Sequence, residues 1–568
     1  MRRNALHVAP LALLLTSAPV WAVDLPAGAT QQIDEIARRR VPVLPLPSTP
    51  DFGLRLQAPE KSAVPKSVDD LVFEIKGINV DGNTLFSQAE IDRIFAAAIG
   101  PAVGLDALRT AAENLETRFR ERGYFLTRVF VPPQQVKDGV FQVQVIEGFL
   151  SGVYVDGAPN DALRRRIEKI AAPLLNKRPI DLASIERALL LINDLPGVVG
   201  TSLLRQGADL GASEIVVTVA GLPDSHLVTF NNTGSNTVGP QTIGINSSFN
   251  NPFRSSGALS IGLTAGGNIL DPNELQAFNT RYSWPVGSRG MILSLGGLAS
   301  NAQPMGSLSS LKIRAVSESV SPRLRVPLLR TRPNSVYLDL GIAVNRSRTI
   351  LDGGLLTFDK TTVGEATLSW AQNGWRNGTT NIGISVFNAL PLFDRSREGA
   401  ANVTQTDFND RFLKVGVNIL RIQQLPIKGV SMLVSANGQW SRDKLPSGEL
   451  VSFGGVSVGR GYDGGAITGE RGFGGLLELR YDSPVKWDPY IGNIQFYAFV
   501  DGAQTYTLGS ANSTASAANL SSNGGGMRFP FGSRGFLDLQ IANAHNTYGT
   551  AADRRDNPRL LFSGMLRF

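Results

Sequence analysis

The sequence predicts two small α+β modules followed by an all-β transmembrane barrel of about sixteen antiparallel strands. Three observations carry that prediction. A strand–helix–helix–strand–strand order occurs twice between residues 68 and 222. From residue 223 onward helical spacing disappears, and segments near ten residues long alternate polar and aliphatic positions between loops of Gly, Asn, Ser and Asp. The 568 residues are only 18% charged and include 60 glycines, which suits strands with one face toward lipid and one toward water.

The first segment, MRRNALHVAPLALLLTSAPVWA, has two arginines, an apolar stretch and small residues at Val20 and Ala22. It reads as a secretory signal peptide over residues 1–22, its apolar core being short for a membrane anchor. Removing it takes Arg2 and Arg3 and no acid, lowering the formal charge from +7 to about +5. Spread over so long a chain, that charge leaves no nucleic-acid footprint. The absence of cysteine excludes disulfides, zinc-thiolate sites and thiol nucleophiles. Beyond the signal, no stretch reaches the roughly 18–20 apolar residues of a membrane helix.

Residues 23–67 read as a short helix and a linker. QQIDEIARRR (31–40) sets Ile33, Ile36 and Ala37 on one side, and the proline-rich VPVLPLPSTP (41–50) stops it as an extended tether. A disordered tail would have the same composition. In the first module, 68–149, LVFEIKGINVDGN reads as one strand. Ser87 to Glu90 forms a capping box before Ile91, Ile94 and Phe95. A second helix spaces Leu105, Leu108, Ala112, Leu115 and Phe119, and two strands follow. The second module, 150–222, repeats the order: Val155-Asp156-Gly157 echoes Val80-Asp81-Gly82 at an offset of 75. Such tandem modules bind chains through exposed strand edges.

The barrel occupies 223–568. In NSVYLDLGIAV, Val336, Leu338, Leu340, Ile342 and Val344 share a face, with Asp339 and Asn345 opposite. RFLKVGVNIL and FLDLQIA alternate in the same way. The segments recur over too many residues for one β-sandwich. The chain ends on RLLFSGMLRF, with Leu560, Phe562, Leu566 and Phe568 on one face, which resembles the C-terminal recognition signal of bacterial outer-membrane barrels. Roughly 20 residues per strand and connection gives about sixteen strands, an even number.

One segment resists the alternation. VSFGGVSVGRGYDGGAITGERG, residues 451–472, holds eight glycines and no run that reads as helix or strand. It contains Gly455-Val-Ser457-Val-Gly459, the pattern of a hydrolase nucleophile elbow, so an outer-membrane serine hydrolase using Ser457 is the alternative reading. An elbow needs a following helix and a histidine, and ITGERGFGG is no helix. His226 and His545, the two histidines beyond the signal, have no acid pattern marking either as a base. A phosphate cradle lacks its Lys-Ser/Thr, and two isolated histidines leave no metal or cofactor site. The remaining reading is a long loop folded into the lumen with Arg460 at its tip. In NIQFYAFVDGA, period two puts Asn493, Gln495, Phe499 and Asp501 on the inward face. Asp501 would then pair with Arg460 as guanidinium with carboxylate. A solvated aspartate before Gly502 fits the spacing equally.

At these residues the chain resembles the TpsB-type outer-membrane transporters of two-partner secretion, the haemolysin secretion/activation family, relatives of barrel-assembly proteins. The family's V-R-G-Y/F tetrad is matched by Gly459-Arg460-Gly461-Tyr462, with Gly in place of Val. Its F-x-D-x-G strand motif is matched by Phe499 and Asp501, with Ala503 where glycine is expected. LLLINDLPGV (189–198) is similar to the family's second POTRA module. The resemblance implies an N-terminal helix, a linker, two periplasmic POTRA modules and a sixteen-stranded barrel. It further implies a pore without enzymatic activity or cofactor that passes an unfolded, β-helical exoprotein (TpsA-type) to the cell surface. The implied partners are that cargo, the barrel-assembly machinery during biogenesis and outer-membrane lipid. The expected state is a monomer, and a barrel-assembly factor is a further alternative.

Overall fold

The computed structural model describes residues 54–56, 72–235, 238–268, 271–304, 306–486, 492–510, 514–532, 534–545 and 557–568. The expected signal peptide, the short helix over 31–40 and the tether over 41–50 lie outside the described residues. The linker does contribute a strand, β1 (Leu54–Leu56).

The first module contains β2 (Val72–Ile75), β3 (Gly77–Asp81), α1 (Gln88–Phe95), β4 (Gly100–Gly104), α2 (Leu105–Glu121), β5 (Arg128–Phe130) and β6 (Val140–Ile146). The run expected as one strand is two. At Lys76 and Gly77 both amides turn to the Gly139 carbonyl; β2 then pairs antiparallel with the unforeseen β4, while β3 pairs parallel with β6. Glu90 accepts from the Ser87 amide at 2.9 Å and hydroxyl at 2.8 Å, which fixes the start of α1. The core is built from the periodic positions, among them Ile91, Phe95, Leu108, Leu115, Phe119, Phe141 and Val143.

The second module contains β7 (Phe149–Asp156), α3 (Asp161–Ala171), α4 (Leu182–Asn193), β8 (Val198–Gln206) and β9 (Ala212–Gly221). Its sheet order is β1-β8-β9-β7, so the linker strand lies parallel along the β8 edge. The repeat has a geometric reason. Gly82 and Gly157 both take positive φ, +81° and +71°, and at each a Cβ would stand within 2.4 Å of the carbonyl of the module's last strand, Val145 or Val219.

The barrel closes with sixteen strands. They are β10 (Ser225–Asn231), β11 (Gln241–Asn250), β12 (Ala258–Asn268), β13 (Asp271–Val286), β14 (Met291–Ala302), β15 (Ile313–Arg330), β16 (Asn334–Leu351), β17 (Gly354–Asn373), β18 (Gly378–Ala389), β19 (Leu413–Gln424) and β20 (Val430–Ser441). After a small hairpin of β21 (Val451–Phe453) and β22 (Ile467–Gly469) come β23 (Arg471–Lys486), β24 (Asn493–Thr507), β25 (Ser516–Pro530), β26 (Gly535–Ala544) and β27 (Arg559–Arg567). All neighbours are antiparallel, and β10 meets β27 at the seam, where the Phe568 amide also donates to His226 O at 2.9 Å. A strand needs about 9–11 residues to cross a bilayer. β17, at 20 residues, therefore continues well past it.

Period two works as the sequence indicates. On β23, Phe473, Leu477, Leu479 and Tyr481 face out, whereas Leu476, Glu478 and Arg480 are buried or half-buried inside. The second module sits against the inner rim of the barrel. Arg330, at the end of β15, takes Asp194 in a two-pronged contact, Nη2–Oδ1 and Nε–Oδ2 both 2.8 Å. Arg332 pairs with Glu186 at 2.7 Å, and Arg166 donates to Gly287 O at 2.7 Å. Among the described residues no helix is long and apolar enough to cross a membrane.

Candidate functional site

The segment between β20 and β23 turns back into the lumen. Contrary to expectation it is not wholly irregular, because β21 and β22 pair antiparallel from Val451↔Gly469 to Phe453↔Ile467. Beyond that hairpin the backbone binds itself: Gly454 N donates to Val458 O at 2.9 Å and Tyr462 N to Gly459 O at 2.9 Å. Gly459 has φ +89°, and a Cβ there would lie 2.8 Å from a Leu520 methyl and 3.0 Å from Gly454 Cα. A β-branched residue would be strained in this conformation. Gly at the first tetrad position is thus matched to the loop's own geometry. Phe453, Val458, Tyr462 and Ile467 form a small core against Ala503 and Leu520 on the barrel wall.

The tip is held from three sides. Arg460, 7% exposed, brings Nη2 to 2.9 Å from Glu478 Oε2. Its guanidinium also lies over the Phe499 ring, 4.3 Å from the centroid. Glu478 is fully buried and also meets Arg480 Nε at 2.7 Å and Arg528 Nη1 at 2.8 Å. Arg528 reaches on to Asp538 at 3.0 Å, and the Tyr497 hydroxyl donates to Asp538 at 2.6 Å. On the second side, Gly461 N donates to Ser522 Oγ at 3.2 Å, and the Tyr462 hydroxyl to Ser521 O at 3.2 Å. On the third, Arg559 of β27 donates to Tyr462 O and pairs with Asp463 at 3.0 Å.

The expected side-chain pair of Arg460 with Asp501 is corrected by this geometry. Asp501 accepts the backbone N–H of Arg460 at 3.3 Å and the Ser522 hydroxyl. It holds the loop's main chain, while the guanidinium finds Glu478. The register explains the choice: Glu478 stands directly opposite Phe499, so the arginine that stacks on that ring meets Glu478, whereas Asp501 lies opposite Leu476 and Ser522. The contact is also single rather than forked, since Arg460 Nε has no hydrogen-bond partner among the described residues. Glu478, Ser522 and Arg559 were missed by sequence reasoning. The inward alternation of Leu476, Glu478 and Arg480 was the signal for Glu478.

The outer stem of the loop is fastened separately. Lys414, at the start of β19, meets Glu449 at 2.7 Å, both buried. Lys444 pairs with Asp407 at 2.7 Å and holds its carboxyl below the usual aspartate range. Asn409 Nδ2 donates to Asp443 at 2.9 Å, and Phe412 and Leu445 pack beneath. The connection 390–412 and the stem 442–450 are therefore one fastened unit at the outer end.

Ser457 is exposed in a turn of the loop, with a strand rather than a helix following. The imidazole of His226 bonds to Ser247 Oγ at 3.0 Å. No group of His, Asp or Glu that could hold a metal ion occurs among the described residues.

The family model described as haemolysin secretion/activation protein ShlB/FhaC/HecB matches residues 211–529, and a ShlB-type POTRA domain model matches residues 73–148. An outer membrane transporter CdiB of Escherichia coli is 26% identical over 519 residues, covering 87% of this chain and 83% of the relative. The hemolysin transporter protein HpmB of Proteus mirabilis is 24% identical over 485 residues, covering 84% and 82%. The solved structure of CdiB from Escherichia coli superposes with a TM-score of 0.71 at 20% identity, covering 95% of this chain and 96% of that one.

Proposed function

The chain belongs to the ShlB/FhaC/HecB family of haemolysin secretion and activation proteins and is an outer-membrane transporter of two-partner secretion; from that premise we propose how its parts divide the work. The POTRA modules take the N-terminal part of an unfolded, TpsA-type exoprotein in the periplasm, partly by strand-edge pairing, which tolerates varied sequences. The barrel passes the chain outward as an extended polypeptide. Export draws on no nucleotide, and folding of the emerging cargo outside biases the movement. The lumen loop is the moving part. It leaves the path of the cargo when the contacts at its tip are exchanged.

The observation that carries this division is a lumen loop fastened at its tip by Glu478, Asp501 and Arg559, inside a barrel with a module docked at the inner rim. The tip's polar contacts and its small apolar core are separate from the strand ladders, so they can break without unfolding the wall. The test is export of a TpsA-type cargo from cells carrying Arg460→Ala. Normal insertion with lost secretion is expected; undiminished secretion would remove the loop from the mechanism.

A non-enzymatic role follows from the same reading. Ser457 sits on the loop without a helix behind it, so Ser457→Ala should leave export intact. If the purified protein hydrolyses an ester and this substitution stops it, the serine-hydrolase alternative replaces the present one. The barrel-assembly machinery that inserts the chain, and a monomeric working state, complete the proposal.

A further inference from the structure

On the outer wall, at the end of the barrel opposite the modules, a groove of about 800 Å³ runs across five strands, β19 to β25. Its walls are apolar, and one row of outward residues crosses it. Val415 pairs with Trp440, the β20–β23 register carries Trp440 alongside Arg471, Arg471 pairs with Tyr506, and Tyr506 with Ala517. A cation therefore stands between two aromatic rings on a surface that otherwise faces lipid. Arg442, in the turn just beyond β20, also approaches Trp440. Both guanidiniums lie 5.5 Å from the Trp440 ring centroid. Arg471 spends one donor on Ser441 O at 2.6 Å, and neither arginine forms an ion pair with an acid among the described residues.

An unneutralised guanidinium on the lipid-facing side is costly within hydrocarbon, and arginine reaches for the interface to meet charge there. Trp440 and Tyr506 fix the height, because such rings settle at the headgroup level. Below them the register continues with Val417, Gly438 and Phe473, and the missing side chain at Gly438 leaves a furrow next to an exposed ring. Headgroup chemistry above and acyl-chain space below thus occur at one place.

We propose that this groove is a lipid site: Arg442 and Arg471 bind the phosphate headgroup of an outer-leaflet lipid, and its acyl chains lie along Val417, Gly438 and Phe473. Arg471 is the first residue after the lumen loop, and its bond to Ser441 O joins the two strands from which that loop departs. The bound lipid sits on the loop's stem.

The test uses the full chain reconstituted in vesicles with brominated acyl chains, which quench nearby tryptophan. Quenching of Trp440 is isolated by subtracting the signal of Trp440→Phe. Vesicles of phosphatidylcholine alone are compared with vesicles in which part is replaced by phosphatidylglycerol carrying the bromines. Phosphatidylglycerol should be preferred at Trp440, and Arg442→Gln and Arg471→Gln should each reduce the preference about fivefold. Heat-resistant migration on gels establishes that each variant is inserted. If Arg471→Gln fails to insert, Arg442→Gln, at an exposed turn residue, carries the test alone. Equal quenching by the two lipids, or a preference unaltered by Arg442→Gln, overturns the proposal. So does loss of the preference on adding inorganic phosphate, which would mean a site for a free anion.

Discussion

Arg460 and Asp501 grip the same loop by different atoms, one through a side chain and one through the main chain. Removing the guanidinium leaves Glu478 to Arg480 and Arg528, so the barrel keeps its charge balance while the tip loses an anchor. Truncating one partner of a buried pair costs about 3–5 kcal/mol, and a wet lumen brings that to the lower end or below. Arg460→Ala should insert normally, resist heat on gels and lose most export. Glu478→Gln should be worse for stability, because three guanidiniums then converge on a neutral side chain. A double variant, Arg460→Ala with Glu478→Gln, should export no less than the poorer single. Arg460→Ala with Asp501→Ala should be poorer than either, since two independent grips are lost. If the second pair couples and the first does not, the assignment of partners is reversed. Gly459→Val would install the first residue of the tetrad that this segment resembles, yet φ +89° makes it a strain here. It should weaken export while leaving the strands intact. The tip's arginine, glycines and tyrosine were legible from a short motif. Its partner was not, because inward alternation gives several acids the same face and only the strand register picks one.

At the scale of elements, α4 joins chemistry that the sequence presents as unrelated. Its N-cap, Asp181, accepts from Ser184 N at 2.7 Å, and at its other end Asp194 is held by Arg330 of the barrel. Burial would raise the Asp181 carboxyl, but hydrogen bonds from Lys177 and Ser184 outweigh it and hold the group below the usual range. A depressed carboxylate contributes stability above the unfolded pKa, about 3.9, and loses it as pH falls through the folded value. The first turn of α4 should therefore open to hydrogen exchange in acid, below about pH 4. Asp181→Ala should cost about 1 kcal/mol and abolish that pH dependence. Asp194→Ala should act elsewhere: Arg330 stays buried without its carboxylate, and exchange should rise both at the end of α4 and at the rim turn 331–333. Protection at the rim unchanged by Asp194→Ala would mean that the module is held by its remaining contacts. The helices of both modules were readable because 3.6-residue spacing is a local property. The division of LVFEIKGINVDGN into β2 and β3, and the docking of β1 on β8, were not, because each depends on which distant edge is open.

For the whole molecule, period two and a count of segments led to a barrel of about sixteen strands, and sixteen close it. What occupies the lumen is a separate question, since a pattern that tells inside from outside is silent on what fills the inside. One occupant is the loop, fastened at the stem by Lys414–Glu449 and at the tip by Arg460–Glu478. A second is expected from the sequence alone: residues 24–40 carry the Ile33 and Ile36 face and a basic end, followed by a proline-rich tether. If that segment rests in the pore, two obstructions lie in series with different fastenings. The loop is tied to the wall by ion pairs, so it should leave only when these are removed. The N-terminal segment belongs to a tether and should be removable by deletion without disturbing the wall. Single-channel recording in planar bilayers separates them. Deleting residues 24–40 should raise conductance, and Arg460→Ala in the deleted chain should raise it again and add noise from a loop no longer fixed. Arg460→Ala alone should change little while the N-terminal segment remains. An unchanged conductance after the deletion would make that segment a tail, and a large rise from Arg460→Ala alone would leave the loop as the sole plug.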